Sequence, residues 1–336
     1  MAAIHPVNTR RKLLIALSAA ALTPSLAALA QPQDKVRRVG FLYCGSRQSS
    51  LETGGHAAFL QEMRDLGYTN GKNWVVEPRF ADGINQRLPE LARDLARSGV
   101  EVIVTTATPA TLAAQQATKT IPIIMAGLDD QVGIVRVANF ARSGGNITGL
   151  SSINVDFNAK RLDLLVVTVP DLSRVAALLN PVNPTFGPDR EALQRAAQQA
   201  GVQLVPVEAR TADEVERAFS VITQERAQAL IVQTDPLFSE NRRRISEFAA
   251  SARLPAVFGS REYIEAGGLM SYGVNTEDMY RRAAIYVHKI LGGAKPGNLP
   301  AGQPIKLEMN LNLKAATTLG INFPQAVMVL ANKVVE

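Results

Sequence analysis

The feature that most constrains the fold is an alternation of short apolar runs with amphipathic segments, which begins near residue 39. The apolar runs at 39–43, 102–104 and 121–125 have the length of buried strands. Between them, apolar residues such as Phe59 and Met63 recur at helical spacing. Strands that alternate with helices form βαβ units with parallel sheets. The sequence therefore predicts an α/β protein.

The same rhythm restarts after residue 150, which predicts a second lobe. Further strands are predicted at 74–76, 147–150, 175–179, 204–207, 230–232, 256–258 and 269–272. The last part breaks the alternation, because a Gly- and Pro-rich link at 292–304 precedes an alternating strand at 305–313.

We predict a first lobe of residues 36–152 plus 276–292 and a second lobe of residues 156–273 plus 305–336. We expect hinges near 152–156, 273–276 and 292–304.

The chain start predicts a secretory signal peptide over residues 1–30. Arg10, Arg11 and Lys12 precede an apolar run at 13–22, and Ala28 and Ala30 form a small-x-small cleavage site. The apolar run is about half as long as a membrane-spanning helix. We therefore expect export to a bacterial periplasm and cleavage after Ala30, by either the general or the twin-arginine route.

Composition excludes several classes of function. The formal net charge is +6, and removal of three basic residues with the signal leaves +3 (6 − 3), which is too mild to predict nucleic-acid binding. Cys44 is the only cysteine, so no intrachain disulfide is possible and a buried, inert thiol is expected. The histidines have no metal-ligand spacing. Neither a Walker A sequence nor a nucleophile elbow occurs, so we expect no cofactor and no catalysis.

Polar residues follow many of the predicted strands, where ligands bind in open α/β sheets. Backbone N–H groups at the helix starts that follow suit an anion such as a carboxylate. Helix capping is the alternative role for each residue. The candidate ligand-binding residues are Tyr43, Ser46, Thr106, Thr108, Asp129, Asn180, Asn183, Asp235, Ser260 and Tyr263.

One stretch carries a family resemblance. The run from Ser260 to Gly273, with Thr234, Asp235 and Pro236 before it, closely resembles the ABC-transporter substrate-binding proteins related to tryptophan and tyrosine binders. Gly145-Asn146-Ile147-Thr148-Gly149 and the Asn180-Pro181 and Asn183-Pro184 pairs fit the same family. The resemblance implies a type I periplasmic-binding-protein fold, in which three crossing segments join two Rossmann-like lobes. The chain departs from the family at Asp129-Asp130-Gln131, where Asp-Pro is common.

The resemblance also implies a function. We expect a periplasmic receptor of an ABC importer, a monomer that captures a small solute between its lobes by hinge closure and delivers it to an inner-membrane permease with a cytoplasmic ATPase. The expected ligand is an amino acid or another small carboxylate. Ser46, Thr106, Thr108 and Asn183 would donate to the carboxylate, Asp235 would pair with an amine, and Tyr43 or Tyr263 would cover the side chain. A periplasmic sensing module that presents its closed form to a receptor kinase is the alternative.

Overall fold

Two sheets organise the chain, one for each predicted set of strands. The computed structural model describes residues 36–52, 54–126, 145–150, 157–299, 301–303 and 306–336. The predicted signal peptide, the hinge at 152–156 and the candidate Asp129 lie outside these residues. The residues Arg37–Glu336 form one compact unit that contains both sheets.

The first lobe is built on a six-stranded sheet. Its strands are β1 (Arg37–Tyr43), β2 (Trp74–Phe80), β3 (Val102–Thr106), β4 (Ile123–Ala126), β5 (Ile147–Leu150) and β11 (Ala301–Gln303). They lie in the order β11-β5-β4-β3-β1-β2 and all pair in parallel. The helices of this lobe are α1 (Arg47–Glu52), α2 (Gly54–Asp65), α3 (Leu88–Arg97), α4 (Ala107–Ala117) and α11 (Thr276–Leu291).

The second lobe is built on a seven-stranded sheet. Its strands are β6 (Arg174–Leu179), β7 (Gln203–Glu208), β8 (Ala229–Val232), β9 (Ala256–Phe258), β10 (Met270–Val274), β12 (Leu307–Asn312) and β13 (Lys333–Val335), in the order β13-β12-β10-β9-β8-β6-β7. The helices are α5 (Phe157–Thr168), α6 (Phe186–Ala200), α7 (Ala212–Gln224), α8 (Pro236–Glu240), α9 (Arg242–Ser251), α10 (Arg261–Glu265), α12 (Leu313–Leu319) and α13 (Gln325–Leu330). β10 pairs antiparallel with β12.

Both sheets are covered by helices on both faces, and the strand sequences show why. Successive side chains of a strand point to opposite faces. In β1, Phe41 packs into one apolar core while its neighbour Leu42 packs into another. In β6, Ala177 and Leu178 divide in the same way. An uninterrupted apolar run therefore fills two cores and leaves the polar residues at the strand ends.

Most predicted strands are confirmed, and some parts of the chain differ from the expectation. The link at 292–304 contains β11, which adds an edge strand to the first sheet. Helix α5 and strand β13 were not predicted. The chain passes between the sheets after β5, between β10 and α11, and after β11. The exact lobe boundaries and the hinges stay predictions.

Candidate functional site

A cavity of about 550 Å³ lies between the two lobes and is lined by residues from both. Its lining includes the ends of β1, β3 and β8 and the first turns of α4, α5, α8 and α11. The carboxyl ends of the parallel strands of each lobe therefore border this cavity, as expected for a ligand site in open α/β sheets. A concave site of this size is suited to a small organic molecule.

Six of the predicted residues line this cavity: Tyr43, Thr106, Thr108, Asn183, Asp235 and Ser260. Three others lie near it but are not among its lining residues. Ser46 donates its backbone N–H to Glu240 Oε1 at 2.9 Å. Asn180 is buried behind Asp235, and Tyr263 is buried with its ring stacked on Phe258 at 4.5 Å.

The first lobe contributes an aromatic wall, which consists of Tyr43 and Tyr280 with Phe41 and Phe80 packed beside them. The Tyr43 ring stacks on Phe41 at 4.6 Å and on Phe80 at 4.9 Å between ring centroids. Its hydroxyl contacts Nδ1 of His56. Burial raises the pKa of Tyr43 above the ordinary tyrosine range and lowers the pKa of His56. This wall is therefore uncharged at neutral pH and suited to an apolar or aromatic group.

The end of β3 closes the same side of the cavity without providing a nucleophile. Thr106 Oγ1 accepts from the backbone N–H of Cys44 at 3.1 Å, and Cys44 Sγ donates to the Thr106 carbonyl at 2.9 Å. Burial raises the pKa of Cys44 to about 12, so the thiol stays protonated and unreactive. This agrees with the expected inert cysteine. Ala107 has a φ of +62°, a rare conformation for a residue with a side chain, and it leads into α4 at the cavity.

The second lobe contributes a polar wall, which consists of Arg161, Asn183, Asp189 and Asp235. Asp235 caps α8 by accepting from Leu237 N at 2.8 Å, and it also accepts from the side chains of Asn183 at 2.7 Å and Asn180 at 3.2 Å. Burial raises the pKa of Asp235, and these donors counter part of that effect. The carboxylate is therefore a structural acceptor as well as a cavity residue.

Asp189, on α6, is held in the same way. Its carboxylate accepts from Asn158 Nδ2 at 2.8 Å, Thr185 Oγ1 at 2.7 Å and Gln233 Nε2 at 2.7 Å. These donors come from α5, from the start of α6 and from the end of β8. Asp189 was not predicted as a site residue, because a carboxylate in the first turn of a helix is usually solvated.

Arg161 is the most notable residue that the sequence analysis missed. It lies on α5 with only 3% of its surface exposed, and it lines the cavity. Its Nε donates to the Tyr272 carbonyl at 3.0 Å and its Nη2 donates to Thr234 Oγ1 at 3.1 Å. The apolar spacing of Phe157, Leu162 and Leu165 is a helical signal that would have placed Arg161 on a buried face.

Glu240 and Arg261 of the second lobe make polar contacts with the first lobe. Glu240, at the end of α8, accepts from Ser46 N at 2.9 Å and from the hydroxyl of Ser49. Arg261 pairs with Glu277 at 2.8 Å between α10 and the first turn of α11. The lobes are therefore held in contact by side chains of the second lobe that reach the first, and by one ion pair at their junction.

Metal ligation has no support in the described part of the chain. Within the residues placed by the structure, no group of three or more His, Cys, Asp or Glu side chains could hold a metal ion. The same residues include no helix that is long and apolar enough to cross a membrane.

Comparison with known proteins gives consistent matches over this fold. Residues 51–335 match the profile of a family described as ABC transporter substrate binding protein. A relative from Clostridioides difficile (strain R20291), named tyrosine-binding protein, is 24% identical over 255 residues, which are 76% of this chain and 73% of the relative.

Two solved structures share the architecture. One is an ABC domain from Streptococcus pneumonia in complex with L-Trp, with a TM-score of 0.79 and 23% identity over 90% of this chain and 100% of that chain. The other is a conserved domain protein from Vibrio cholerae, with a TM-score of 0.81 and 26% identity over 89% of this chain and 100% of that chain. The similarity confirms the predicted two-lobed fold of type I periplasmic binding proteins.

Proposed function

Because the chain belongs to the family of ABC transporter substrate-binding proteins, we propose that it is the receptor of an importer and captures its solute by closing the two lobes. Family membership implies a small-molecule ligand and an ABC transporter as partner. Import by an inner-membrane permease with a cytoplasmic ATPase, a monomeric state and the absence of catalysis are parts of this proposal.

The observation that carries the proposal is the cavity between the lobes, whose two sides differ in chemistry. The aromatic wall offers ring faces to an apolar group. The polar wall offers a buried cation and two carboxylates held by neutral donors. A ligand with one apolar end and one charged end would satisfy both walls at once.

We propose an amino acid with an aromatic or other apolar side chain as the ligand. The name of the Clostridioides difficile relative supports tyrosine as the first probe. In this arrangement Tyr43 would cover the side chain, Thr106 and Thr108 would lie near the ligand, and Asp235 would face its amine. Each of these residues lines the cavity.

Isothermal titration calorimetry of the purified protein with L-tyrosine, L-tryptophan, L-leucine and L-glutamate tests this ligand class. We expect binding of at least one of the first three and at least tenfold weaker binding of L-glutamate, because the aromatic wall would bury its second carboxylate. A ligand at about 100 times its Kd should also add about 2.7 kcal/mol to the stability. Failure of all three apolar amino acids to bind would reject the amino-acid proposal.

Hinge closure requires the lobes to move relative to each other about the crossing segments. Small-angle scattering with and without a ligand found by calorimetry should show a smaller radius of gyration in the bound state. An unchanged radius at saturating ligand would contradict hinge closure and leave the binding function standing.

We also propose that the protein is exported and cleaved after Ala30, as the sequence of its first thirty residues indicates. N-terminal sequencing of the exported protein should begin at Gln31. Recovery of exported protein that still carries Arg10 and Arg11 would contradict this.

Solute uptake in the host should also be lost when the partner permease is deleted, whereas a sensing role would leave uptake unchanged.

A further inference from the structure

We infer that Asp189 pairs with the ammonium group of the ligand and so selects an amino acid over a simple carboxylic acid, an inference that rests on the proposed function. Asp189 lies in the first turn of α6 and lines the cavity. It is half-buried, so it is part of the polar wall and also borders the open space. The polar wall contains a second carboxylate, Asp235, and the two differ in the bonding capacity they have left.

Asp235 has its acceptor positions filled by the protein. Its residue surface is only 2% exposed. Its oxygens accept from Leu237 N, from Asn183 Nδ2 and, at 3.2 Å on each oxygen, from Asn180 Nδ2. A carboxylate offers about four acceptor positions, which these contacts occupy. Asp235 therefore has little capacity to bind a ligand directly.

Asp189 keeps capacity for a further donor. Its Oδ2 accepts from Thr185 Oγ1 and Gln233 Nε2, both at 2.7 Å, whereas its Oδ1 accepts from Asn158 Nδ2 at 2.8 Å. Among the described residues, the donors to this carboxylate are all neutral groups. These contacts orient the negative charge without pairing it with a positive one, and Oδ1 can accept from a second donor.

The backbone at the start of α6 suits a cation better than an anion. Phe186 N donates to the Asn183 carbonyl at 3.0 Å, and Asp189 N donates to the Thr185 carbonyl at 2.9 Å. Pro188, between them, has no backbone N–H. The first turn of α6 therefore presents a carboxylate together with few free backbone donors, so a ligand ammonium would be favoured here over a ligand carboxylate.

Open space lies beside this turn. Gly187 and Pro188 line the same cavity as Asp189. A Cβ at Gly187 would meet no heavy atom within 4 Å, so the protein does not fill the space at this position. An ammonium group that enters beside α6 would form a charge-assisted hydrogen bond, which is about twice as strong as a neutral one.

This assignment predicts how the ligand lies between the lobes. Asp189 belongs to the polar wall of the second lobe, and the aromatic wall belongs to the first. The ligand ammonium would lie against α6, and its side chain would lie toward Tyr43. The amino group would then be the part of the ligand that the second lobe selects.

Calorimetry with L-tyrosine and with 3-(4-hydroxyphenyl)propanoate, which lacks only the amino group, tests this assignment. Wild-type protein should bind L-tyrosine at least tenfold more tightly than the propanoate. Asp189→Asn should weaken L-tyrosine at least tenfold without weakening the propanoate, so that the preference disappears. Asp213→Asn is the matched control, because it makes the same change in the exposed first turn of α7 and should alter neither affinity.

Thr185→Val separates the charge of Asp189 from its hydrogen-bond network. The variant removes the hydroxyl that donates to Asp189 and accepts from Gln233, but it keeps the carboxylate. It should weaken the two probes by the same factor and keep the preference for L-tyrosine. Asp189→Ser, which keeps an acceptor without the charge, replaces Asp189→Asn if the amide prevents folding.

The outcomes separate this inference from the proposed function. Equal losses for the two probes in a folded Asp189 variant, or no loss for either, would overturn the inference and leave amino-acid binding intact. Loss of the preference in Thr185→Val as well would show that the network matters rather than the charge, and would also overturn it. Equal affinity of the wild-type protein for the two probes would overturn it without any variant. A wild-type protein that binds none of L-tyrosine, L-tryptophan and L-leucine would reject the amino-acid proposal, and the inference with it.

Discussion

The two lobes share one architecture but present different chemistry to the cavity. The first lobe places stacked rings at the end of β1, with Tyr43 between Phe41 and Phe80. The second lobe places charged and amide side chains at the ends of β6 and β8 and on α5, each in a hydrogen-bond network. One wall is therefore held by ring packing and the other by directional bonds.

The two walls also differ in how strictly their geometry must be kept. Much of the stability of the aromatic wall comes from apolar burial, which is non-directional and tolerates small shifts. Hydrogen bonds to charged groups lose strength quickly when distance or angle changes. We therefore expect substitutions in the aromatic wall to be milder for the fold than substitutions in the polar wall.

The largest expected effect comes from Asp235→Ala. Its carboxylate is the acceptor for Asn180, Asn183 and the backbone N–H of Leu237 at the start of α8. Loss of the carboxylate would leave these buried donors without this acceptor. The expected cost is about 3 to 5 kcal/mol of unfolding free energy. Urea denaturation measures it. Asp213→Ala, in the exposed first turn of α7, is the control and should cost less than about 1 kcal/mol. A variant within 1 kcal/mol of wild type would show that this network does not stabilise the polar wall.

A smaller effect is expected from Tyr43→Leu in the aromatic wall. The change removes two stacked ring pairs and should cost about 2 kcal/mol. It should also weaken the binding of L-tyrosine in calorimetry, because Tyr43 covers the ligand side chain in the proposed arrangement. Tyr43→Phe keeps the ring, loses only the contact with His56 and should cost less than about 1 kcal/mol. An unchanged affinity of Tyr43→Leu for L-tyrosine would contradict the proposed contact between Tyr43 and the ligand.

Glu240→Ala tests the contact between the lobes. It removes the acceptor for Ser46 N and the Ser49 hydroxyl, which should weaken the contact between the lobes by about 1 kcal/mol. Scattering without ligand should give a larger radius of gyration than wild type, and the affinity for L-tyrosine should fall about fivefold. The control is Glu247→Ala, an exposed position on α9. The same radius in the variant and the wild type would mean that Glu240 does not hold the lobes together.

The smallest effect concerns pH. The Arg261 guanidinium lowers the pKa of the Glu277 carboxyl below its ordinary value. The folded state therefore favours the ionised form, so the stability from this pair is present above the ordinary glutamate pKa and is lost as pH falls through the lowered value. Glu277→Gln should reduce stability by about 0.5 kcal/mol at pH 7, and the difference should shrink toward pH 3. Urea denaturation at both values measures it, and a difference that grows at low pH would contradict the assigned ion pair.

Much of the candidate site could be predicted because strand ends are visible in the sequence. The carboxyl ends of parallel strands meet at one edge of a sheet. This rule was enough to predict that Thr106, Asn183 and Asp235 line the cavity. The rule gives the edge but not the direction of each side chain. Tyr263 follows β9 closely, yet α10 turns its ring into the core against Phe258.

Residues on helices were harder to predict than residues at strand ends. A helix has positions on all sides, and the side that meets a cavity depends on how the helix packs on its sheet. Arg161 and Glu240 reach the cavity from the interior of α5 and the end of α8. Nothing in their local sequence distinguishes them from solvated residues, except the apolar spacing around Arg161.

From the sequence alone we could predict the alternation of strands and helices, the two lobes and the polar edges of the sheets. These follow from the spacing of apolar residues, which reflects burial within each element. The hydrogen-bond partners of the polar groups depend instead on the tertiary fold. Arg161 and Tyr272 lie 111 residues apart in the chain, and Ser46 and Glu240 lie 194 residues apart. Such contacts depend on how distant elements pack against each other, because local spacing fixes the face of each element but not the residue it will meet.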